Sequence, residues 1–238
     1  MVRMDKIIEI KNLTVWYERN VNVLEDINIS FRTGRIYALL GANGSGKSTL
    51  INVLCGVHSR FTGMVNMDGI TIADSAQVKD INESKYKRFY ISDTPMALDE
   101  MTSTQYIKFL LDSYNVKWHR ERFDDLVQLF QFEKYPFYKI KHLSLGNKQK
   151  VSIIAAFMID PPILILDEPL NGLDLKSVDV FLGMLREYVS KNRLVIISSH
   201  LVDIVEKWCD EVYYIKNKKI GDSIIISPST NLRKELSL

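Results

Sequence analysis

Gly41-Ala-Asn-Gly-Ser-Gly-Lys-Ser48 gathers three glycines, a lysine and two serine hydroxyls into eight residues, between a short apolar run and a helical pattern. Phosphate suits that combination. Glycines let the backbone turn tightly enough for successive N–H groups to converge on one anion, and a following helix N-terminus adds partial positive charge. In a G-x-x-x-x-G-K-[ST] loop the lysine reaches the β- and γ-phosphates and the last hydroxyl meets Mg²⁺. Those roles fall to Lys47 and Ser48, and Gly41, Asn43, Gly44, Ser45, Gly46 and Thr49 complete the cradle. A second element, Ile163-Leu-Ile-Leu-Asp-Glu-Pro169, brings its aspartate 120 residues after Lys47. Its four apolar residues predict a strand that delivers Asp167 to the metal and Glu168 to an attacking water.

Such residues need a sheet whose strand ends share one edge. Ile36–Leu40, bounded by glycines, reads as a buried parallel strand, and Leu50, Val53, Leu54 and Val57 mark one face of a helix after Gly46. Upstream, Ile8, Ile10 and Leu13, then Val23, Ile27, Ile29 and Phe31, alternate as antiparallel strands around a polar turn at Glu18–Asn22. From about Ile91 to Asp160 the period is helical. Tyr106, Phe109, Leu110 and Tyr114 form one stripe there, and Phe123, Leu126, Val127 and Phe130 another. A β/α rhythm returns with Ile163–Leu166, a helix around Val178–Val189, the strand Leu194–Ser198, a helix at Leu201–Trp208 and the strand Val212–Ile215. The polar last ten residues are expected to fray. The fold class is α/β, with a nucleotide-binding core over 1–90 and 161–238 and a helical lobe inserted at 91–160.

Composition narrows the partners. Thirty-one Lys and Arg against 29 Asp and Glu leave a net charge of +2 in 238 residues, too little to act as a nucleic-acid field. The runs Lys85–Arg88 and Lys216–Lys219 read as solvated turns, so no nucleic acid is expected. No apolar stretch reaches the roughly 18 residues of a membrane helix, and the N-terminus lacks a signal-peptide pattern. Cys55 and Cys209 have no partner spacing and read as small core residues of a cytosolic protein. His58, His119 and His142 match no motif and read as surface or packing residues.

Leu143-Ser-Leu-Gly-Asn-Lys-Gln-Lys150 resembles the signature of the ABC ATPases, usually Leu-Ser-Gly-Gly-Gln, and begins a helix 23 residues before Asp167. Asn171-Gly-Leu-Asp174 resembles that family's D-loop, and His200, 33 residues after Asp167, its switch histidine. Tyr17 falls where the family stacks an aromatic ring on adenine. The resemblance implies a RecA-like P-loop core with an antiparallel β-subdomain and an inserted helical lobe. It also implies ATP and Mg²⁺ as ligands and a second nucleotide-binding domain, a copy or a paralogue, that presents Ser144 and Gly146 to the γ-phosphate. ATP then closes a two-domain sandwich and hydrolysis reopens it, with Lys47, Glu168 and His200 catalytic and Asp174 linking the two sites.

Two positions depart from the family pattern. Nine residues before Thr102, where the family has Gln, stands Asp93, an acid that can meet Mg²⁺ or a water but cannot donate as an amide does. Leu145 replaces a signature glycine. The resemblance further implies a separate transmembrane permease seated in a groove near Asp93 and Tyr106, with Phe89, Tyr90, Met96 and Phe109 as candidate lining. The chain is then peripheral on the inner face of the membrane. Val15–Arg19, Leu145–Gln149 and Glu168–Leu170 are most similar to the ATPase components of subtilosin-type bacteriocin export and immunity transporters, which implies an exporter of peptide or lipophilic cargo. The alternative is a soluble ABC-type switch or a weakly hydrolysing nucleotide sensor.

Overall fold

The computed structural model describes residues 6–18, 21–73, 83–94 and 98–236; Met96 and part of the expected turn at 18–22 lie outside them. The chain divides into two compact units. One comprises Met1–Tyr90, Pro162–Asp167 and Arg186–Leu238, the other Ile91–Pro161 and Glu168–Leu185. Residues 168–185, read from the sequence as core, thus group with the helices.

In the first unit β1 (Lys6–Glu18), β2 (Val21–Arg32), β4 (Phe61–Met67) and β5 (Ile70–Ala73) form an antiparallel sheet in the order β2-β1-β4-β5. Ile8 and Ile10 alternate as a strand should, but Leu13 is three residues further on. A register shift between Ile10 and Leu13 resolves this, with Asn12 at φ 50° and its N–H donating to Asn28 Oδ1 at 2.9 Å. Gly63 opposes the irregularity, since a Cβ there would lie 2.4 Å from the Asn12 carbonyl oxygen. Asp26, also at positive φ, shifts the facing of β2. Leu24 therefore enters the core, and the expected Val23 is only half-buried.

The second sheet holds β3 (Arg35–Leu40), β6 (Arg88–Ile91), β7 (Ile163–Asp167), β8 (Leu194–Ser199), β9 (Glu211–Lys216) and β10 (Lys219–Ile220) in the order β10-β9-β3-β8-β7-β6, with β11 (Ile224–Ile225) on β9. β7, β8, β3 and β9 run parallel, so their C-terminal ends lie along one edge. All of β7 and β8 is buried, which explains their unbroken apolar runs. Helix α1 (Lys47–Leu54) buries Leu50, Ile51, Val53 and Leu54 in the same core as both sheets. β6 has no signature in the sequence, because its four residues are too few to show a period.

The second unit contains α2 (Ser103–Ser113), α3 (Arg120–Leu129), a 3₁₀ turn at Ile140–His142, α4 (Leu145–Ile159) and the start of α5 (Leu175–Ser190). α2 opens on a capping box between Thr102 and Gln105. It buries Ser103, Ile107 and Leu111, not the expected aromatic stripe, of which Phe109 stays 46% exposed. The stripe on α3 is buried as expected, together with Phe130. From Val151 on, α4 is apolar nearly all round, and the helix packs on both α2 and α3. It stops at Asp160 in left-handed conformation before Pro161-Pro162.

Of the last ten residues, expected to fray, Leu232–Glu235 are helical. α6 (Val202–Trp208) packs on α7 (Leu232–Glu235), where Leu232 is fully buried and its N–H donates to Glu206.

Candidate functional site

Gly41 leaves β3 against the backbone of β9. A Cβ on it would lie 2.8 Å from the Ile215 carbonyl oxygen and 2.5 Å from Ser45 Oγ, so only glycine fits that exit. Gly44 and Gly46 then turn the chain at φ 78° and 109°, and Gly46 becomes the N-cap of α1 with no side-chain cap. The first N–H groups of that helix are therefore left for a ligand or water. No acidic residue occupies its first turn.

Lys47 is buried inside its own loop. Its Nζ donates to the Gly41 carbonyl at 2.8 Å and the Ala42 carbonyl at 3.2 Å, two partners for three N–H donors. Ser45 Oγ is buried without a hydrogen-bond partner. A cradle with an orphaned hydroxyl and a buried ammonium fits a polyanion. Ser48 is exposed on the first turn of α1, and Thr49 is buried beside it.

Tyr17, at the end of β1, is 45% exposed. Its hydroxyl lies 3.4 Å from Thr49 Oγ1, and its ring is backed by His58 at a centroid distance of 4.6 Å. His58 is fixed in turn by donating from Nε2 to the Trp16 carbonyl at 2.9 Å. His58, read from the sequence as a surface or packing residue, packs on the candidate base-stacking ring, a partner that nothing in its neighbours marks.

Asp167 ends β7 and is 1% exposed. The parallel register sets it beside Ser198, whose Oγ donates to Asp167 Oδ1. A buried carboxylate so held is a rigid oxygen ligand, and Mg²⁺ takes oxygen. Among the described residues no group of three or more His, Cys, Asp or Glu side chains could hold a metal by itself. His200 is exposed immediately after β8, and the N-cap of α6 is Leu201, with no side-chain cap bond.

The remaining predicted site residues belong to the other unit. Asp93 is exposed, and its Oδ1 accepts from the Thr94 N–H at 2.7 Å and from Ser92 Oγ at 3.2 Å. Ser144 is the N-cap of α4, accepting from the Asn147 N–H at 3.3 Å, and its hydroxyl proton remains available to another acceptor. Gly146 touches the segment after Glu168, because a Cβ there would lie 2.0 Å from the Gly172 carbonyl oxygen. Leu145, the departure from the family signature, lies over Gly172 and is still 49% exposed.

Glu168 takes a left-handed φ of 44°, and its carbonyl accepts from the Asn171 N–H. Asp174 caps α5 by accepting from the Ser177 N–H at 2.9 Å, and it receives Lys150 Nζ at 2.8 Å. The Lys150 hydrogen bond is the main cause that holds the Asp174 carboxyl well below the usual range.

A glycine-lined anion cradle at the C-terminal edge of a parallel sheet, two strands from a buried aspartate, defines a P-loop nucleotide-binding fold. The profile of the ABC transporter family matches residues 24–171, and the chain belongs to that family as an ATP-binding, ATP-hydrolysing subunit. It is 38% identical over 229 residues to the ABC transporter ATP-binding protein AlbC of Bacillus subtilis, covering 96% of each chain. A solved ATP-binding subunit of an ABC transporter superposes with a TM-score of 0.84 at 27% identity, covering 97% of this chain and 93% of that one. A dimeric ATP-binding cassette with ADP and phosphate bound superposes with a TM-score of 0.83 at 20% identity, covering 92% and 99%, a likeness of fold. Among the described residues no helix is long and apolar enough to cross a membrane.

Proposed function

We propose that this chain is the motor of an exporter of peptide or lipophilic cargo, working from the inner face of the membrane through a separate permease. The observation that carries the motor reading is Lys47, buried in the loop with two of its donors on the loop's own carbonyls. A triphosphate exchanges those carbonyls for phosphate oxygens, while Gly41–Gly46 and Thr49 line the cradle and Tyr17 stacks on the base. Ser48 and Asp167 would hold Mg²⁺, with Asp93 meeting it directly or through water. Bound there, the metal would neutralise phosphate charge. Glu168 accepts a proton from the attacking water, and His200 senses the γ-phosphate and keeps that water in line.

A second nucleotide-binding domain, a copy or a paralogue, presents its Ser144 and Gly146 to the same phosphate. The exposed Ser144 hydroxyl supports this reading, because it caps its helix as an acceptor and keeps a proton to donate. ATP thus joins two domains, and its hydrolysis separates them.

The cargo class rests on the residues resembling subtilosin-type exporters, and the 38% identity to AlbC across nearly both chains supports the ATP-binding subunit of a transporter. The test is a pull-down of the tagged chain from detergent-solubilised native membranes, with mass spectrometry of what co-purifies. A polytopic membrane subunit in stoichiometric amount is expected. A purely soluble catch containing ribosomal or DNA-bound proteins overturns the exporter reading in favour of a soluble switch.

A further inference from the structure

Three positions of α4 meet the segment that follows β7, and all lie on one face of the helix at i, i+3 and i+4. Gly146 admits the Gly172 carbonyl at a distance no side chain would allow. Gln149, 1% exposed, donates from Nε2 to the Pro169 carbonyl at 3.1 Å. Lys150 spans between the Phe130 carbonyl, at 3.0 Å, and Asp174 Oδ2, at 2.8 Å. Between these anchors the segment is two successive turns, closed by Asn171 N–H on the Glu168 carbonyl and Leu173 N–H on the Leu170 carbonyl.

Gln149 is an expensive choice for its place. Its Oε1 is buried with no hydrogen-bond partner, a cost that an apolar side chain of the same length would avoid only by taking the donor from the Pro169 carbonyl. What the amide supplies is its donor. That donor acts one residue beyond Glu168, whose left-handed backbone persists only where surrounding structure holds it.

We propose that Gln149 and Lys150 are positioning residues for ATP hydrolysis: from the helix that begins with the signature, they fix both ends of the Pro169–Asp174 turn and so aim Glu168. The proposal rests on Glu168 being the base, and its test separates the two. Gln149→Met keeps length and burial but removes the donor. Lys150→Met removes one anchor, and Lys150→Arg restores it. Single-turnover hydrolysis, with the purified full chain in excess over Mg-ATP and both well above Kd, is measured beside ATP affinity and the thermal midpoint.

Both Met variants are expected to lose tenfold or more in rate with ATP affinity unchanged within twofold, and Lys150→Arg to return within threefold of the native rate. A simple structural defect would lower affinity, midpoint and rate together, with no rescue by Arg. Native rates in the Met variants, or losses that follow affinity or folding, overturn the proposal. Should Gln149→Met fail to fold, the Lys150 pair decides alone. Glu168→Gln is the control: a native rate there refutes Glu168 as base, whereas a lost rate there beside native Met variants refutes only the positioning.

Discussion

Lys47 holds two of its three donors on carbonyls of its own loop, at 2.8 and 3.2 Å. Its ammonium is buried, and these bonds let the chain tolerate the charge, but a triphosphate offers charged acceptors in place of neutral ones. Charge-assisted hydrogen bonds contribute about 1.5–3 kcal/mol each. Lys47→Ala is therefore expected to weaken ATP binding by about 10²-fold; calorimetric titration with unchanged affinity would contradict the loop's role. The two thiols carry a prediction in pH. Burial pushes both Cys55 and Cys209 up to about 12, whereas an unfolded thiol ionises near 8.5. The folded chain thus holds these protons more tightly, so their contribution is whole below about pH 8.5 and is lost as pH rises toward about 12. Denaturant midpoints should fall across that window, less steeply in Cys55→Ala, and neither thiol should react with a maleimide at pH 7 until the chain unfolds. The loop residues were legible because their chemistry is contiguous in sequence. Ser198, His58 and Gln149 were not, since each acts on a residue that only sheet register or helix packing sets beside it.

At the scale of elements the readable signals were those with a clean period. β3, β7 and β8 are unbroken apolar runs because both faces are covered. β1 and β2 carry residues at positive φ, Asn12 and Asp26, that break the alternation, and no residue type announces where such an irregularity falls. α2 misled because its aromatic residues lie on the flank, while smaller Ser103 and Ile107 face the interior. Two substitutions test the elements directly. Thr102→Ala removes a capping box and should cost about 1 kcal/mol, read from chemical denaturation; no change in midpoint would mean that tertiary contacts alone hold the start of α2. Gly146→Ala adds a methyl where the Gly172 carbonyl stands 2.0 Å away, so α4 or the turn must move. Overpacking of this kind costs about 1–3 kcal/mol, and a variant as stable as the native chain would show that the turn yields freely.

For the whole molecule the decisive quantity is mass against nucleotide. If ATP joins two domains and its hydrolysis parts them, blocking only hydrolysis must leave the joined form. Glu168→Gln keeps the side chain's size and removes its ability to take a proton, while the cradle around Lys47 lies in the other unit and is untouched. With Mg-ATP at saturation, light scattering should show this variant near twice 27.5 kDa, returning to 27.5 kDa when the nucleotide is exchanged for ADP. Adding Lys47→Ala should abolish the shift, because the joining ligand is no longer held. Leu145 gives the same measurement a second use. Half-exposed beside Ser144, it offers apolar surface at the edge that a second domain would cover, and burying such surface favours association by roughly 25 cal/mol per Å². Leu145→Gly in the Glu168→Gln background should therefore loosen the ATP-bound pair. A tighter pair would mean instead that the leucine holds the second domain off. A chain that stays at 27.5 kDa with ATP bound in every variant would show that two copies do not make the sandwich, leaving a paralogue as the partner to seek.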